Sequence, residues 1–200
     1  MKIKQYKLAR RLGVKLFSKT QNPKFVLAKK NSRDKRPAQL TEYGMQLIEK
    51  QKMRYSYNLS ERQFGTYVKK ATLKKGVNPA EYLYKNLESR LDSVVYSLGL
   101  AKTRPLARQM VSHGHITVNG RRVNIPAFSV KAGDAIGVRE QSKNRALFTN
   151  IAEPLKSYTP PGWLALDAKN LEGKVLGVPQ LNATAQSVFN ITSVIGFYSR

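Results

Sequence analysis

Cysteine is absent from this sequence of 200 residues, and histidine occurs only twice, as His113 and His115. Without cysteine, the chain can form neither disulfide bonds nor cysteine-ligated zinc sites. The two histidines form a His-x-His pair with no acidic residue near it in the sequence, which is weak support for a metal site. The sequence therefore predicts no metal and no cofactor, and it favours a polar surface for both histidines.

Long hydrophobic runs are also missing. No apolar stretch reaches the roughly 18 residues that a membrane-spanning helix requires. The basic N-terminus is not followed by the apolar segment of a secretory signal. An acid-free basic start is also typical of an organellar transit peptide, and this alternative stays open for the first dozen residues.

Acidic residues are scarce, with 12 Asp and Glu against 36 Lys and Arg, which gives a net charge of +24. Self-repulsion of this size destabilises a compact chain unless a polyanion binds to it. Residues 1–75 contain 21 basic and four acidic residues and so hold +17 of this charge. In the absence of a membrane span, nucleic acid is favoured over a membrane as the partner.

Catalytic motifs are not apparent: there is no phosphate-binding loop, nucleophile elbow or cluster of metal ligands. Asp92 lies in an Arg-Leu-Asp triplet that resembles the catalytic triplet of pseudouridine synthases, which also carry an RNA-binding module. In those enzymes the triplet follows the module, whereas here it precedes the hairpin that ends near Pro126. The sequence favours a helix-start or surface role for Asp92 and a non-enzymatic protein.

The first 40 residues lack sustained periodicity. We interpret them as a basic arm that is extended in the free protein and becomes ordered on RNA. The basic residues of this arm that are expected to contact RNA are Lys2, Lys4, Lys7, Arg10, Arg11, Lys15, Lys35 and Arg36.

A helical domain is predicted to follow. Thr41, Ser60 and Asn78 are typical N-caps for three helices. Tyr55 and Tyr57 are expected in a loop, where base stacking stays an alternative to core packing. The cations that fall off the apolar helix faces, and that are expected to bind RNA, are Lys50, Lys52, Arg54, Arg62, Lys69 and Lys70.

The next segment predicts two short helices packed on a small antiparallel sheet. The first helix ends at Gly99, and the second begins at the cap Thr103 and ends at Gly114. Asn119-Gly120 is a strong hairpin signal, and Ala135–Arg139 reads as a third strand. The apolar face of the second helix is expected to be Leu106, Ala107, Met110 and Val111. The fold class is therefore α+β.

A surface for RNA shape and backbone is expected where these elements meet, because Arg104 and Arg108 share a helix face and the positive helix end favours phosphate. The alternative is a solvated positive rim. The residues assigned to this surface are Lys102, Thr103, Arg104, Arg108, Gln109, Ser112, His113, Gly114, Asn119, Arg121 and Arg122.

The C-terminal segment is less basic than the rest. Trp163–Leu166 reads as a strand, with the indole filling a core position. Gly173 and Gly177 are expected in loops, and the apolar stretch 188–198 is expected to dock back on the chain.

The stretch RLDSVVYSLGLAKTRPLARQMVSHGHITVNGRRVNIP closely resembles the RNA-binding module of the S-four family of small-subunit ribosomal proteins. LTEYGMQLIEKQKMRYSY and LSERQFGTYVKKA resemble helices of that family's N-terminal domain, and PPGWLALDAKNLEGKV and GFYSR resemble its C-terminal segment. The resemblance covers residues 38–200 in one colinear order. The module occurs in many RNA-binding proteins, whereas the flanking segments are specific to the ribosomal family.

The resemblance implies a domain plan. Residues 1–40 would form the basic arm, and residues 41–88 the helical domain, completed by a C-terminal helix over residues 183–200. Residues 89–182 would form the second domain, with the module at about 89–152.

The resemblance also implies a function: a structural constituent of the small subunit that binds its RNA at a 5′-domain junction, nucleates assembly and contributes to translational accuracy. The implied partners are small-subunit ribosomal RNA, ribosomal protein S-five with neighbouring proteins, and messenger RNA where it enters the subunit. The expected location is the ribosome, either cytoplasmic or organellar. The alternatives are an RNA-modifying enzyme and a generic RNA-binding stress factor.

The chain departs from the family at its start. Many bacterial members have four zinc-binding cysteines in the first 40 residues, and this sequence has none, so zinc is not expected. The family's Pro-Gly-Gln-His-Gly stretch is missing too. The RNA contacts of the segment 22–38 are therefore not carried over from the family.

Overall fold

The computed structural model describes residues 4–27, 40–149, 151–181 and 189–199. The chain divides into two compact units. The first unit comprises residues 1–80 and 182–200, and the second comprises residues 81–181. Each unit is built around its own set of buried apolar side chains.

The first unit is helical. Its described elements are α1 (Gln5–Leu12), a 3₁₀ turn (Ser18–Thr20), α2 (Glu42–Ser56), α3 (Glu61–Leu73) and α10 (Ile191–Tyr198). Thr41 caps α2 by accepting a hydrogen bond from the Gly44 N–H at 3.2 Å, and Ser60 caps α3 by accepting one from the Gln63 N–H at 3.3 Å. Both caps confirm the helix starts that were predicted from the sequence.

The core of this unit lies between α2, α3 and α10. Met53, Phe64, Val68 and Val194 are fully buried. The i, i+4 spacing of Phe64 and Val68 puts both side chains on one face of α3. The C-terminal helix α10 packs against α2 and α3. An apolar C-terminal segment thus completes the core of a unit that begins at the other end of the chain.

The N-terminal segment differs from the extended arm that the sequence suggested. Residues 5–12 form α1, which contacts α2 and buries Ala9 and Leu12. The Tyr6 ring lies 5.3 Å from the ring of Phe25, which is itself buried. The extended-arm prediction is therefore wrong for residues 4–27, because a few apolar side chains spaced along a basic stretch are enough for packing against a larger helix.

The second unit combines helices with one sheet. The helix α4 (Pro79–Glu88) leads into it, followed by α5 (Leu91–Ser97), α6 (Arg104–Ser112), β1 (Ile116–Val118), β2 (Arg121–Arg122), β3 (Ala135–Val138), α7 (Glu140–Lys143), α8 (Ala146–Thr149), α9 (Ala152–Lys156), β4 (Leu164–Asp167) and β5 (Glu172–Val175). The five strands are antiparallel, in the order β2-β1-β3-β5-β4.

The core of the second unit lies where α5 and α6 meet the sheet. Val94, Leu98, Met110, Ile116 and Ile136 are fully or almost fully buried in one cluster. The register Val118↔Ile136 places apolar side chains of neighbouring strands side by side. The predicted fold class is confirmed: helices and a small antiparallel sheet, with a helical N-terminal region.

Two details differ from the sequence expectation. Gly173 lies in β5 rather than in a loop. Glycine fits this position in the strand because a Cβ would overlap the side chain of Leu98. The strand predicted at Trp163–Leu166 forms as β4, and β5 joins it to the three strands of the predicted module. Leu106 is only partly buried, whereas Ala107, Met110 and Val111 are buried as predicted. In the part of the chain that is described, no helix is long and apolar enough to cross a membrane.

Candidate nucleic-acid interface

The start of α6 is built by two local signals. Thr103 has an extended backbone, and its hydroxyl accepts a hydrogen bond from the Leu106 N–H at 3.3 Å. Pro105 in the first turn lacks an N–H, which costs nothing at a helix start. The Thr103 hydroxyl therefore caps the N-terminus of α6, while the neighbouring Lys102 is exposed.

Arg104 and Arg108 lie on α6, but carboxylates compete for both guanidinium groups. Arg104 donates to the Ser93 hydroxyl at 2.8 Å and to Glu88 at 3.2 Å, and it lies 4.8 Å from the centre of the Tyr96 ring. Arg108 lies 3.7 Å from Asp92, and 31% of its side chain is exposed against 17% for Arg104. Arg104 is therefore mainly a structural residue at the edge of the predicted surface.

Asp92 is buried, which is different from the surface position allowed by the sequence. Arg90 donates to both of its carboxylate oxygens, at 2.9 and 2.6 Å. The Ser93 N–H also donates to Asp92, at 2.9 Å. Arg90 is itself 1% exposed. Asp92 therefore compensates a buried guanidinium at the start of α5, and its environment is structural rather than that of an accessible catalytic acid.

The hairpin turn at Asn119-Gly120 forms as predicted, with φ of 49° and 76° at its two central residues. The Asn119 side chain points back into the sheet rather than outward. Its amide donates to Asp134 at 2.9 Å, and its oxygen accepts from the Ala135 N–H at 2.8 Å. Asn119 is exposed, but both ends of its amide already have a partner within the protein, and its role as an RNA contact stays a prediction.

Arg121 and Arg122 are exposed on the two-residue strand β2. The Arg122 guanidinium crosses over Gly114 and donates to the His113 carbonyl at 3.4 Å. Gly114 has a φ of +72°, and a Cβ there would overlap the Arg122 side chain. The backbone conformation that ends α6 therefore favours glycine, and a side chain at this position would also move the guanidinium of Arg122.

An exposed polar surface remains after these assignments, and we call it the module surface. Ser112 uses its hydroxyl to donate to the Arg108 carbonyl at 2.5 Å, although the residue itself is exposed. The exposed members of the module surface are Lys102, Gln109, Ser112, His113, Arg121 and Arg122.

Two residues beside this surface, Arg139 and Arg145, were missed by the sequence reasoning, and they lie near His115, which was expected on a polar surface. The His115 Nδ1 lies 3.0 Å from the hydroxyl of Ser142. Burial, followed by the positive charges of Arg145, His113, Arg122 and Arg139, holds the pKa of His115 below its ordinary value. The sequence carried a weak signal for them, because Arg139 and Arg145 flank a short helix just after the third strand.

The predicted cations of α2 are engaged within the helical unit. Lys50 is only 5% exposed, donates to Glu61 at 2.7 Å and lies 4.5 Å from the centre of the Phe197 ring. Lys52 pairs with Glu49 at 2.6 Å. Arg54 donates to Gln51 at 3.1 and 2.7 Å. Lys50 therefore does not lie on an exposed surface, and Lys52 and Arg54 are partly withdrawn from one.

The predicted cations of α3 are placed differently. Arg62, Lys69 and Lys70 are exposed, on the side of the helix away from Phe64 and Val68. These three cations are therefore accessible to a partner in solution.

Of the two tyrosines beside Arg54, Tyr55 is helical rather than in a loop, whereas Tyr57 lies in the turn that follows α2. Tyr55 lies in the last turn of α2, where the Arg54 guanidinium is 4.1 Å from the centre of its ring. Tyr57 is 3% exposed, and its ring lies 6.3 Å from that of Phe189. Core packing therefore explains Tyr57, and base stacking by it is not supported.

The basic residues at the start of the chain fall into two groups. Lys4, Lys7, Arg10, Arg11 and Lys15 are exposed on or near α1. Lys2, Lys35 and Arg36 lie outside the described residues. Within residues 4–27, 40–149, 151–181 and 189–199, no group of His, Asp and Glu has the arrangement of a metal site.

The chain resembles known proteins in both units. Residues 1–88 match the ribosomal protein S4/S9 N-terminal domain, and residues 89–136 match the S4 domain. It is 43% identical to the small ribosomal subunit protein uS4 of Roseiflexus sp. (strain RS-1), over 97% of this chain and 96% of that protein. It is 44% identical to uS4 of Thermus thermophilus and 45% identical to uS4 of Herpetosiphon aurantiacus, over the same shares of each chain.

The fold and the exposed cations together define an S4-domain protein with a helical N-terminal unit. The chain belongs to the uS4 family of small ribosomal subunit proteins. This confirms the family resemblance and the expectation of a non-enzymatic protein, because the similarity extends over both units and not only over the module that enzymes share.

Proposed function

We propose that this protein is a structural constituent of the small ribosomal subunit that binds its ribosomal RNA. The observation that supports this most strongly is the 43–45% identity over 97% of the chain to proteins named for that subunit. The second support is chemical, since a net charge of +24 is suited to a polyanionic partner.

Two groups of cations are proposed to share the binding. Arg62, Lys69 and Lys70 of α3, together with the exposed cations of α1, neutralise phosphates and give affinity that depends strongly on salt. The module surface orients the protein on folded RNA, because its short polar side chains and arginines fit the shape and backbone of an RNA helix. Arg104, Arg108 and Asn119 support that surface mainly by holding its shape.

The finer parts of the proposal rest on the family resemblance. The RNA target is a junction of helices in the 5′ domain, and binding nucleates assembly of that region. Ribosomal protein S-five and messenger RNA near its point of entrance are the proposed neighbours, with an effect on translational accuracy. An RNA-modifying activity is not proposed, since the burial of Asp92 against Arg90 leaves no accessible acid at the one triplet that suggested it.

The test is a binding titration at fixed salt and Mg²⁺. It compares the 5′-domain junction with an unrelated folded RNA of equal length. We expect a preference of about 10³-fold or more, which is the usual lower range of specific over non-specific nucleic-acid binding. Equal affinity for the two RNAs would contradict the proposal, since charge alone would then account for binding.

The contribution of each cation group is tested at several salt concentrations. Arg62→Gln with Lys69→Gln removes two exposed charges of α3, and Lys169→Gln with Lys174→Gln removes two exposed charges from β4–β5. If α3 contacts two phosphates, the first pair should reduce the log–log salt slope by about two units, while the control pair leaves it unchanged.

A further inference from the structure

Three arginines and a second histidine lie near His115 in the second unit, and the ring of that histidine is 6.1 Å from the His115 ring. His113 lies at the end of α6, Arg122 on β2, Arg139 just before α7, and Arg145 between α7 and α8. All four act on the imidazole through their charge. We call these five residues the His115 cluster.

Buried groups hold the imidazole of His115 in place. Its Nδ1 lies 3.0 Å from the hydroxyl of Ser142, which is 2% exposed. Its ring meets that of the buried Phe148 edge-on, at a centroid distance of 6.1 Å. The Arg139 N–H donates to its backbone carbonyl at 2.8 Å. Of the residues that the structure describes, none hydrogen-bonds the Nε2, so that one edge of the ring has no protein partner.

The cluster is not balanced by acidic groups. The nearest acid in sequence is Glu140, and its carboxylate pairs with Lys143 at 2.8 Å. Within the described ranges, no carboxylate forms an ion pair with Arg122, Arg139 or Arg145. This contrasts with Arg90 and Arg104 of the same unit, which both have carboxylate partners. Like charges held together in this way cost free energy that a bound anion would recover.

The chemistry of the cluster fits a phosphate. Guanidinium groups match the geometry of phosphate oxygens, and an imidazolium adds one charge-assisted hydrogen bond. We propose that the His115 cluster binds a backbone phosphate of RNA and that the imidazole of His115 takes up a proton from solvent when it does. This rests on the proposed function, since the phosphate is taken to belong to the bound RNA.

The proton uptake follows from the change in charge. In the free protein, burial and the nearby arginines disfavour the imidazolium and lower the pKa of His115. A phosphodiester among the same side chains adds a negative charge that offsets part of this repulsion and favours the imidazolium. The complex then binds one more proton than the free protein does. Affinity must therefore rise as the pH falls through the interval between the bound and the free pKa, by at most about tenfold per pH unit.

Two measurements on the full-length protein test this. The chain has only two histidines, so their ring signals can be followed by NMR and assigned with His113→Gln. We expect the pKa of His115 to lie below its ordinary value in the free protein and to rise on binding the 5′-domain junction RNA. An unchanged or lower pKa in the complex would overturn the proposal.

The second measurement is affinity for the same RNA between pH 5.5 and pH 8, at fixed salt. His115→Gln should abolish the gain in affinity at low pH, and the difference from the parent protein cancels any protonation of the RNA itself. Arg145→Gln should raise the pKa of free His115 and weaken binding, whereas Lys169→Gln, an equal charge change at an exposed turn, should do neither. Identical pH profiles for His115→Gln and the parent would refute the proton uptake.

The two proposals fail in different ways. Loss of selectivity for the junction at pH 8 would contradict the proposed function itself. Selective binding at pH 8 with an unperturbed His115 would leave that function intact and overturn only the phosphate site described here.

Discussion

Among the residues that the structure describes, each unit buries one basic side chain, and the two units compensate the charge in different ways. In the second unit, Arg90 is 1% exposed and its partner Asp92 is 5% exposed. In the first unit, Lys50 is 5% exposed, but 48% of the side chain of its partner Glu61 is exposed. One pair is sealed in the core, and the other is open to water at its acidic end.

The carboxylate partners of the basic residues indicate which positive charges stabilise the fold. Arg90, Arg104 and Lys50 each lie within hydrogen-bonding distance of a carboxylate. The exposed cations of α3 and the arginines of the His115 cluster have no such carboxylate among the described residues. Charge alone therefore does not separate structural from binding cations in so basic a chain, but the position of its few acids does.

Removing the acid of the sealed pair should have the largest effect. Asp92→Asn leaves the Arg90 guanidinium buried without a counter-charge, and we expect a loss of about 3–5 kcal/mol in the unfolding free energy. Trp163 is the only tryptophan and lies in the second unit, so its fluorescence in a denaturant titration reports this unit. The control Glu153→Gln, at an exposed site, should change little. A loss below about 1 kcal/mol, the level of an exposed pair, would show that water reaches Arg90 after all.

The loss expected for Asp92→Asn can be compared with the loss from truncating an apolar core residue. Met110 is 1% exposed, and Met110→Ala should cost about 2–5 kcal/mol in the same titration. Leu106 lies on the same helix but is only partly buried. We therefore expect Leu106→Ala to lower the unfolding free energy by less than Met110→Ala does. Equal losses would mean that the two positions are equally packed in solution.

Alanine substitutions at two glycines distinguish the effect of backbone strain from the effect of moving a side chain on the proposed RNA surface. Gly114 and Gly120 have φ of +72° and +76°, so alanine at either should cost about 1–2 kcal/mol by thermal unfolding. Only the Cβ at Gly114 would displace Arg122, since nothing lies within 4 Å of the one at Gly120. Gly114→Ala should therefore weaken RNA binding more than Gly120→Ala does. Equal affinities would remove Arg122 from the interface.

The open pair should respond more weakly. Tyr198 on α10 donates to Glu61 at 2.7 Å, and Tyr198→Phe removes this bond while it keeps the ring. We expect a loss of about 0.5–1.5 kcal/mol, seen as faster hydrogen exchange of the α10 amides. Phe197→Tyr, a neighbouring aromatic change that leaves the Glu61 bond intact, is the control. Unchanged exchange in Tyr198→Phe would mean that the hydroxyl does not anchor the helix.

The smallest expected effect is the loss of stabilisation by Glu61 at acidic pH. Burial by itself raises the pKa of Glu61, but the hydrogen bonds from Lys50 and Tyr198 and the charges of Lys50 and Arg54 outweigh it and hold this pKa below its ordinary value of 4.5. The stabilisation is therefore present above pH 4.5 and is lost as the pH falls through the folded pKa. Glu61→Gln should flatten the acid dependence of the α10 exchange rates. An unaltered dependence would assign the effect to other carboxylates.

Much of the fold was predictable from local signals. The caps Thr41, Ser60 and Thr103 and the turn at Asn119-Gly120 act within three or four residues of themselves, so the sequence contains all that they need. The helix α1 and the strand β5 were missed for the opposite reason. Leu12 and Gly173 have their partners far along the chain, and a short window shows only a basic stretch and a flexible residue.

The candidate site was predicted in part. Lys102, Gln109, Arg121 and Arg122 are exposed where the helix and hairpin signals placed them. Lys50 is buried and pairs with Glu61, and the exposed Asn119 hydrogen-bonds Asp134. These partners lie 11 and 15 residues away, so a short stretch of sequence does not show them. His115 and its arginines come together only when β1, β2 and the segment around α7 are assembled.

By itself, the sequence determined the class of the protein: an α+β chain whose charge requires a polyanion and whose motifs belong to one ribosomal family. Composition and short-range pattern are enough for the fold class and the type of partner, since net charge and helix caps do not depend on distant residues, and the resemblance of whole segments indicates the family. Only the tertiary structure decided which cations are available for binding. Burial and the positions of twelve acidic residues among thirty-six basic ones depend on contacts between distant segments, and these exist only in the folded chain.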